Sequence, residues 1–334
     1  MSLWLGIDLG ATNAKAAVID DSGALISRAA RPLDRSQPGG LTLEPVVAKL
    51  LECCEAAMKE AYVSWTGVAG IGIGAPGRID TTAGLVVGAA NIFGGAENVP
   101  LAQALQDSAH GVPTTLVNDA DAAVAAELWV GVGRRTDDNP AVDDLVFLTL
   151  GSGIGASIVA GGRRVVGAAS CTEGGHMIIM ANGRQCSCGQ RGCLEAYASA
   201  ISVVKRTLEA LVDDGTCKSS LAQLDRSSLD CKAVFDAAEA GDALAMTIVD
   251  DTAMYLAVGC INFTRVTDPA LIVLSGGMAE AGASFVERVK AHIRSMSWTC
   301  LPVMDKVVAA SAGPHAGLIG AAFAAREVFQ RQQS

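Results

Sequence analysis

The sequence predicts an α/β protein built from two similar halves. A strand, a glycine loop and a second strand occur near residue 8 and again near residue 150. Half of the 334 residues are hydrophobic, enough to bury a sizeable core. The 37 glycines and only 4% aromatics suit a fold of tight turns rather than a disordered chain. The length alone suggests ~2 domains.

Leu3 to Leu9 is an apolar run, followed by Gly10-Ala11-Thr12-Asn13 and a second run from Ala14 to Ile19. Asp20-Asp21-Ser22-Gly23 is turn chemistry, and Ala24 to Ala30 reads as a third strand. After a polar loop, Val46, Val47, Leu50, Leu51, Cys54 and Met58 recur at helical spacing. Val68 to Ile73 and Thr114 to Val117 read as strands, and the Ala-rich stretch Ala120 to Val130 as a helix. The pattern then restarts. Leu145 to Leu150 and Gly155 to Ala160 are strands flanking Gly151-Ser152-Gly153, and Gly161-Gly162 turns the chain back. A long helix around Met246 to Phe263, a strand Leu271 to Leu274 and a further helix after Ser275-Gly276-Gly277 follow. The boundary between the halves is expected near Asn118 to Ala120, with the halves facing each other across a cleft.

The formal charge of -10 and a pI of about 4.9 argue against a nucleic-acid or acidic-membrane partner. An anionic substrate is still allowed, because backbone amides bind phosphate on acidic proteins. No apolar stretch looks long enough to span a bilayer without glycine or charge, and the N-terminus lacks a basic region typical of a signal peptide. Cys53, Cys54, Cys260 and Cys300 lie in mostly apolar stretches and read as free thiols.

The chemistry concentrates in a few segments. In Asp8-Leu9-Gly10-Ala11-Thr12-Asn13, glycine lets backbone approach a phosphate, Thr12 can donate a hydroxyl, and Asp8 can hold Mg²⁺ through water. A glycine turn in a plain hairpin looks similar, but Gly151-Ser152-Gly153-Ile154-Gly155 repeats the device in the matching place. Ser275-Gly276-Gly277 is either a helix-entry turn or backbone room for an adenine ring. By motif the chain reads as neither a P-loop protein nor a Rossmann dehydrogenase. His176, Cys186, Cys188 and Cys193 supply one imidazole and three thiolates, the requirement of a closed tetrahedral zinc site of structural type. Gly189 and Gly192 let that loop curl. Three ordinary core cysteines are the poorer reading, since Cys-x-Cys sits here in a polar, glycine-rich loop.

Asn118-Asp119 follows a strand and starts a helix. Asp119 is there either an N-cap or the general base that accepts a hydroxyl proton. Glu173 and Glu195 bracket the metal segment, where they either bind vicinal hydroxyls or are solvated charge. Ala75-Pro76-Gly77-Arg78 is a ligand loop or an ordinary turn.

Taken together these segments resemble the ROK family (repressors, open reading frames and sugar kinases) of the actin-like ATPase superfamily. The most specific part is the pairing of Glu173-Gly174-Gly175-His176 with the Cys186–Cys193 cluster and Glu195. The resemblance runs nearly end to end. It implies a two-domain actin-like ATPase fold, a duplicated ribonuclease H-like α/β architecture with a central cleft and a zinc-binding loop. The implied domains are residues 1–118 with 316–334, the smaller, and 119–315, the larger, carrying the zinc loop. It also implies an ATP-dependent sugar kinase, glucokinase-like, with Asp119 as the base. Gly77, Asn118, Glu173, His176 and Glu195 would line the sugar site, with His176 using one ring nitrogen on zinc. Asp8, Gly10, Thr12, Asn13, Gly151, Ser152 and Gly153 would hold Mg-ATP phosphates, and Gly276 and Gly277 the adenosine. The implied setting is a cytoplasmic homodimer.

Three departures stand out. Ala11 replaces the family's usual second glycine, which requires a negative φ there. Ala90-Asn91-Ile92-Phe93-Gly94-Gly95 matches the family's Pro-Asn-Leu segment only partly. Arg78, like the Cys186 to Ser199 stretch, is closer to N-acetylmannosamine kinases than to glucokinases. Glucose is the expected acceptor, with N-acetylmannosamine or N-acetylglucosamine as alternatives. A family repressor would carry a helix-turn-helix ahead of the first loop, which begins here at Gly10. A sugar sensor without catalysis is the remaining alternative class.

Overall fold

The structure is a computed structural model that describes residues 2–34, 40–134, 142–166, 172–213, 219–280, 283–296 and 303–333. The chain divides into two compact units: Met1–Val142, Val166–Thr172 and Ser311–Ser334 form the first, and Asp143–Val165 with Glu173–Ala310 the second.

The first unit begins with β1 (Leu3–Leu9), β2 (Asn13–Asp20) and β3 (Leu25–Pro32), then α1 (Leu43–Glu60). Next come β4 (Val68–Ala75), β5 (Arg78–Asp80), β6 (Leu85–Gly88), α2 (Ala90–Phe93), α3 (Leu101–Ser108), β7 (Thr114–Asn118) and α4 (Asp119–Trp129). Its main sheet runs β3-β2-β1-β4-β7. The first three strands are antiparallel, as their tight turns require, while β1, β4 and β7 are parallel.

The second unit carries β8 (Leu145–Leu150), β9 (Ile154–Ala160) and β10 (Arg163–Arg164), followed by α5 (Glu195–Ala198), α6 (Ala200–Asp213), α7 (Cys231–Glu239) and α8 (Ala243–Thr267). Then come β11 (Leu271–Ser275), α9 (Gly277–Glu280), α10 (Ala283–Met296) and β12 (Val307–Ala309). Its sheet runs β10-β9-β8-β11-β12, with the same alternation of antiparallel and parallel pairs. Each half therefore opens with an antiparallel hairpin and adds parallel strands on the far side of the first strand, which is the duplication the sequence pattern predicts.

The chain returns to the first unit in α11 (Ala316–Gln333). This helix meets the sheet backbone to backbone. A Cβ on Gly6 of β1 would sit 1.9 Å from the Leu318 carbonyl oxygen, and one on Gly72 of β4 would sit 1.7 Å from that of Ala321. The helix meets α4 just as closely, since a Cβ on Gly320 would lie 1.5 Å from the Ala122 oxygen. α4 thus belongs with β7 in the first unit, and the division expected between residues 118 and 119 falls instead between 142 and 143. Close packing on α11 accounts for the difference, because α4 shares its core through Ala126 and Trp129.

A buried carboxylate fixes the loops around this core. Glu127 has no exposed surface; one oxygen accepts from the Val132 N–H (2.9 Å), the other from Ser311 (2.9 Å) and Ala312 (2.8 Å). Three charge-assisted bonds satisfy a charge that burial alone would penalise heavily.

α8 is long and apolar enough by length and composition to cross a membrane, but Asp250, Asp251 and Gly259 interrupt it, as the sequence expectation requires, and half of its apolar window is buried. Leu256, Ala257, Cys260 and Phe263 pack there with Val146, Leu148 and Ile272 of the second sheet. Cys53, Cys54 and Cys260 are buried free thiols; Cys300 lies outside the described residues.

Gly72→Ala should lower stability by roughly 1–3 kcal/mol or more, because α11 must move off the sheet. Gly88→Ala, with nothing within 4 Å of the added methyl, should leave the urea midpoint near wild type. Equal midpoints for the two variants would contradict the close packing.

Candidate functional site

In the first unit the β1–β2 turn is closed by the Gly10 N–H donating to the Asn13 carbonyl (2.9 Å). Thr12 and Asn13 are exposed at its tip, where the Asn13 amide donates to the Thr12 hydroxyl (3.1 Å). Ala11 is not among the residues with positive φ, so its methyl is accommodated. The antiparallel register sets Lys15 opposite Asp8, and the ammonium reaches the carboxylate at 2.8 Å. Sequence reasoning missed Lys15, because the strand pairing that brings it to Asp8 spans seven residues outside any phosphate-loop motif.

β7 ends at Asn118, which takes the N-cap of α4: its side-chain oxygen accepts from the Ala120 N–H (2.9 Å). Its amide donates to the Gly77 carbonyl (3.0 Å), joining the Ala75-Pro76-Gly77 turn to the start of α4. Gly77 needs glycine twice over, with φ +95° and a virtual Cβ 2.4 Å from the Gly88 oxygen. With the cap role filled by Asn118, Asp119 is the first helical residue and accepts from the Ala120 N–H (2.9 Å). Its carboxyl is open to solvent yet enclosed on most sides by protein. This partial desolvation raises it above the ordinary carboxylate range, Asp8 and Asp121 adding like-charge repulsion against the lowering hydrogen bond from Ala120. Arg78 is exposed on β5; the Asn91 side chain lies outside the described ones.

In the second unit, Glu173 leads into a single 3₁₀ turn, Gly174–His176. Both glycines are demanded by packing: a Cβ on Gly175 would meet the Ile154 oxygen at 1.9 Å, and one on Gly174 would meet Phe263 and Ala156. The turn therefore lies flat on β9 and directs His176 to the cysteine loop. His176 Nδ1 is 3.6 Å from Cys186 Sγ, and Cys188 Sγ is 3.7 Å from Cys193 Sγ. All four ligand atoms fall within 4.8 Å of one another. Zinc bonds of ~2.3 Å to sulfur and ~2.0 Å to nitrogen imply tetrahedral edges of about 3.5–3.8 Å, so the cluster is compatible with zinc. The sulfur separation also far exceeds the ~2.05 Å of a disulfide. The other ring nitrogen, Nε2, faces the Glu173 carboxylate at 3.9 Å.

Glu195 ties this cluster to the second glycine loop. One oxygen accepts from the Ile154 N–H (2.9 Å), the other from the Ser187 hydroxyl (3.2 Å). A Cβ on Gly153 would lie 2.5 Å from the first oxygen, so glycine there makes room for the carboxylate. Within the loop the Gly151 N–H donates to the Gly153 carbonyl (3.0 Å).

Gly151, Ser152 and Gly277 line one cavity of about 520 Å³, floored by Leu150 and Met278 and walled by Cys231, Lys232, Phe235 and Asp236 of α7. Gly276 itself adopts φ +90°, with a virtual Cβ 2.7 Å from the Leu150 oxygen, so it lets β11 end beside β8. The α7 wall was not foreseen, since Cys231–Glu239 carries no motif and reads as an ordinary amphipathic helix.

Two five-stranded sheets of matching order, each opening on a glycine turn with a carboxylate or hydroxyl beside it, define an actin-like ATPase fold. The ROK family profile matches residues 4–328, and the chain belongs to the ROK family. It is 30% identical to a glucokinase of Halalkalibacterium halodurans over 95% of this chain and 93% of that one. It is 29% identical to an N-acetylmannosamine kinase of Salmonella typhi, covering 96% and 98%. The crystal structure of a ROK family glucokinase from Streptomyces griseus, in complex with glucose and AMPPNP, superposes with a TM-score of 0.77 at 27% identity, covering 98% and 100%.

Glu195→Ala should free the Ile154 amide. A hydrogen bond to a charged acceptor is worth ~1.5–3 kcal/mol, so amide exchange at Ile154 should accelerate by about 10–100-fold. Unchanged protection would remove Glu195 as the support of this loop.

Proposed function

We propose that this chain is an ATP-dependent sugar kinase that transfers the terminal phosphoryl of Mg-ATP to a hexose, with glucose converted to glucose 6-phosphate as the best-supported reaction. The observation that carries this reading is Asp119: its helix is already capped by Asn118, and burial raises its carboxyl above the ordinary aspartate value, the direction that favours a general base. The glucokinase relatives support glucose as acceptor. Exposed Arg78 after Gly77 favours N-acetylmannosamine as the second candidate, with N-acetylglucosamine beside it.

In this mechanism Asp119 orients the acceptor hydroxyl and takes its proton as the oxygen attacks in line. Asn118, Glu173, His176, Glu195 and the Gly77 backbone bind sugar hydroxyls. Glu195 also braces the 151–154 loop, so its role combines support and binding. Gly10, Thr12, Asn13 and Gly151–Gly153 hold the phosphates through backbone amides and hydroxyls. The 520 Å³ cavity beside Gly277 takes the adenosine, with Gly276 shaping its edge. Asp8 is the residue to hold Mg²⁺, which supplies charge neutralisation on the phosphates; Lys15 balances Asp8 before nucleotide arrives. His176, Cys186, Cys188 and Cys193 would hold zinc, which supplies a rigid corner and no chemistry. We place the protein in the cytoplasm as a homodimer.

Coupled ADP release with Mg-ATP against a hexose and N-acetylhexosamine panel tests the reading; turnover on one sugar is expected, and none on any sugar would count against a kinase. Asp119→Ala should lower kcat by at least ~10²-fold with the fold intact. Because a base works deprotonated, kcat/KM should fall on acidification with its midpoint above 3.8, the ordinary value for an aspartate. A midpoint at or below 3.8 would assign that limb to another group. Cys188→Ser should lower zinc content and melting temperature together, and full occupancy with unchanged melting would contradict a closed metal site.

A further inference from the structure

We infer that Tyr197 is the positioning residue of the metal loop, holding the three cysteines in their tetrahedral arrangement from the buried side. The inference rests on the zinc reading above. Tyr197 lies on α5 and is 3% exposed, in an apolar cluster with Cys186, Cys193 and Ala196. A phenol enters such a cluster only where its hydroxyl finds a partner. Here the Tyr197 oxygen accepts from the Arg184 backbone N–H at 2.7 Å, and its proton faces Met180 Sδ at 3.4 Å.

The contact propagates to the ligands through main chain alone. The Arg184 carbonyl accepts from the Gly192 N–H (2.8 Å), and the Gly192 carbonyl accepts from Ile179 (2.9 Å). Gly192 directly precedes Cys193. On the other side Leu194 donates to Met177 (2.9 Å), the neighbour of His176. Gly183 is shaped to the same phenol, since a Cβ there would lie 2.1 Å from the hydroxyl oxygen. The ring is itself braced from α8, with the Tyr255 ring at 4.6 Å and the buried Arg206 guanidinium over Tyr255 at 5.7 Å.

Ligands need this anchor because the opposite side of the loop is solvent. Cys188, Gly189 and Gln190 are exposed, and the Cys188 sulfur is held there by a single long contact from the Gln190 amide (3.6 Å). Tyr197→Phe keeps the ring and its packing but leaves the Arg184 N–H without an acceptor. The 180–184 turn then loosens against Gly192, and the tetrahedron opens more often. Hydrogen-bonding partners one step behind metal ligands commonly change affinity by ~10–100-fold when removed.

The test is the rate of zinc transfer from purified zinc-loaded protein to a chromogenic chelator. Tyr197→Phe should release zinc at least ~10-fold faster than wild type. Val289→Ala, a core substitution on α10, serves as a control that lowers the melting temperature without touching the loop, and should release zinc at the wild-type rate. A Tyr197→Phe rate within twofold of wild type, or equal acceleration in the Val289→Ala protein, overturns the positioning role while leaving the zinc reading intact. Wild-type protein that neither contains nor takes up zinc overturns both.

Discussion

Two carbonyl oxygens of one helix occupy the places where side chains of the neighbouring sheet would begin. The Leu318 and Ala321 oxygens lie over Gly6 and Gly72, and the rest of the first unit follows from that approach. Only glycine allows a helix backbone to touch a strand this closely, and dispersion is strongest at such separations. With α11 seated, α4 can lie against it at Gly320, and the N-terminus of α4 then holds Asp119 beyond the end of β7. The catalytic candidate is thus placed by backbone packing more than by any contact of its own.

The second unit uses the same device around its histidine–cysteine cluster. Gly174 and Gly175 let one short turn lie against β9, and Gly192, at φ +87°, lets the cysteine hairpin pass the Met180 carbonyl. Glu195 then couples that hairpin to the glycine loop after β8. The histidine–cysteine cluster and the glycine loop after β8 are therefore mechanically linked within one unit, through a single carboxylate that accepts from Ile154 and Ser187.

Much of this was legible in the sequence, for identifiable reasons. The strand–glycine–strand repeat exposed the duplication because hairpin turns leave a local signature. The His176, Cys186, Cys188 and Cys193 set was legible because few physical environments suit thiols in a polar glycine loop. What escaped depends on contacts between residues distant in sequence. Lys15 meets Asp8 only through strand register, the α7 wall joins the cavity only through tertiary packing, and Glu127 reads as one more helix-face acid until Ser311 and Ala312 are seen to donate to it. The unit boundary was displaced for the same reason, since the partner that claims α4 is α11.

The return of the chain in α11 has a consequence for biosynthesis. The helix that covers β1 and β4 is translated only after the whole second unit, so a nascent chain carries the first sheet with part of one face bare. At ordinary elongation rates that interval is on the order of 10 s. During it Trp4, Ala17 and Ile19, which pack against Leu318 and Ala322 once α11 is seated, lie in a half-assembled layer, open to chaperones or to the same strands of a neighbouring ribosome's product. Synthesis of the second unit, by contrast, ends almost where its fold does. The unit that begins first is the one that finishes last, and the pace of the ribosome becomes part of its folding problem.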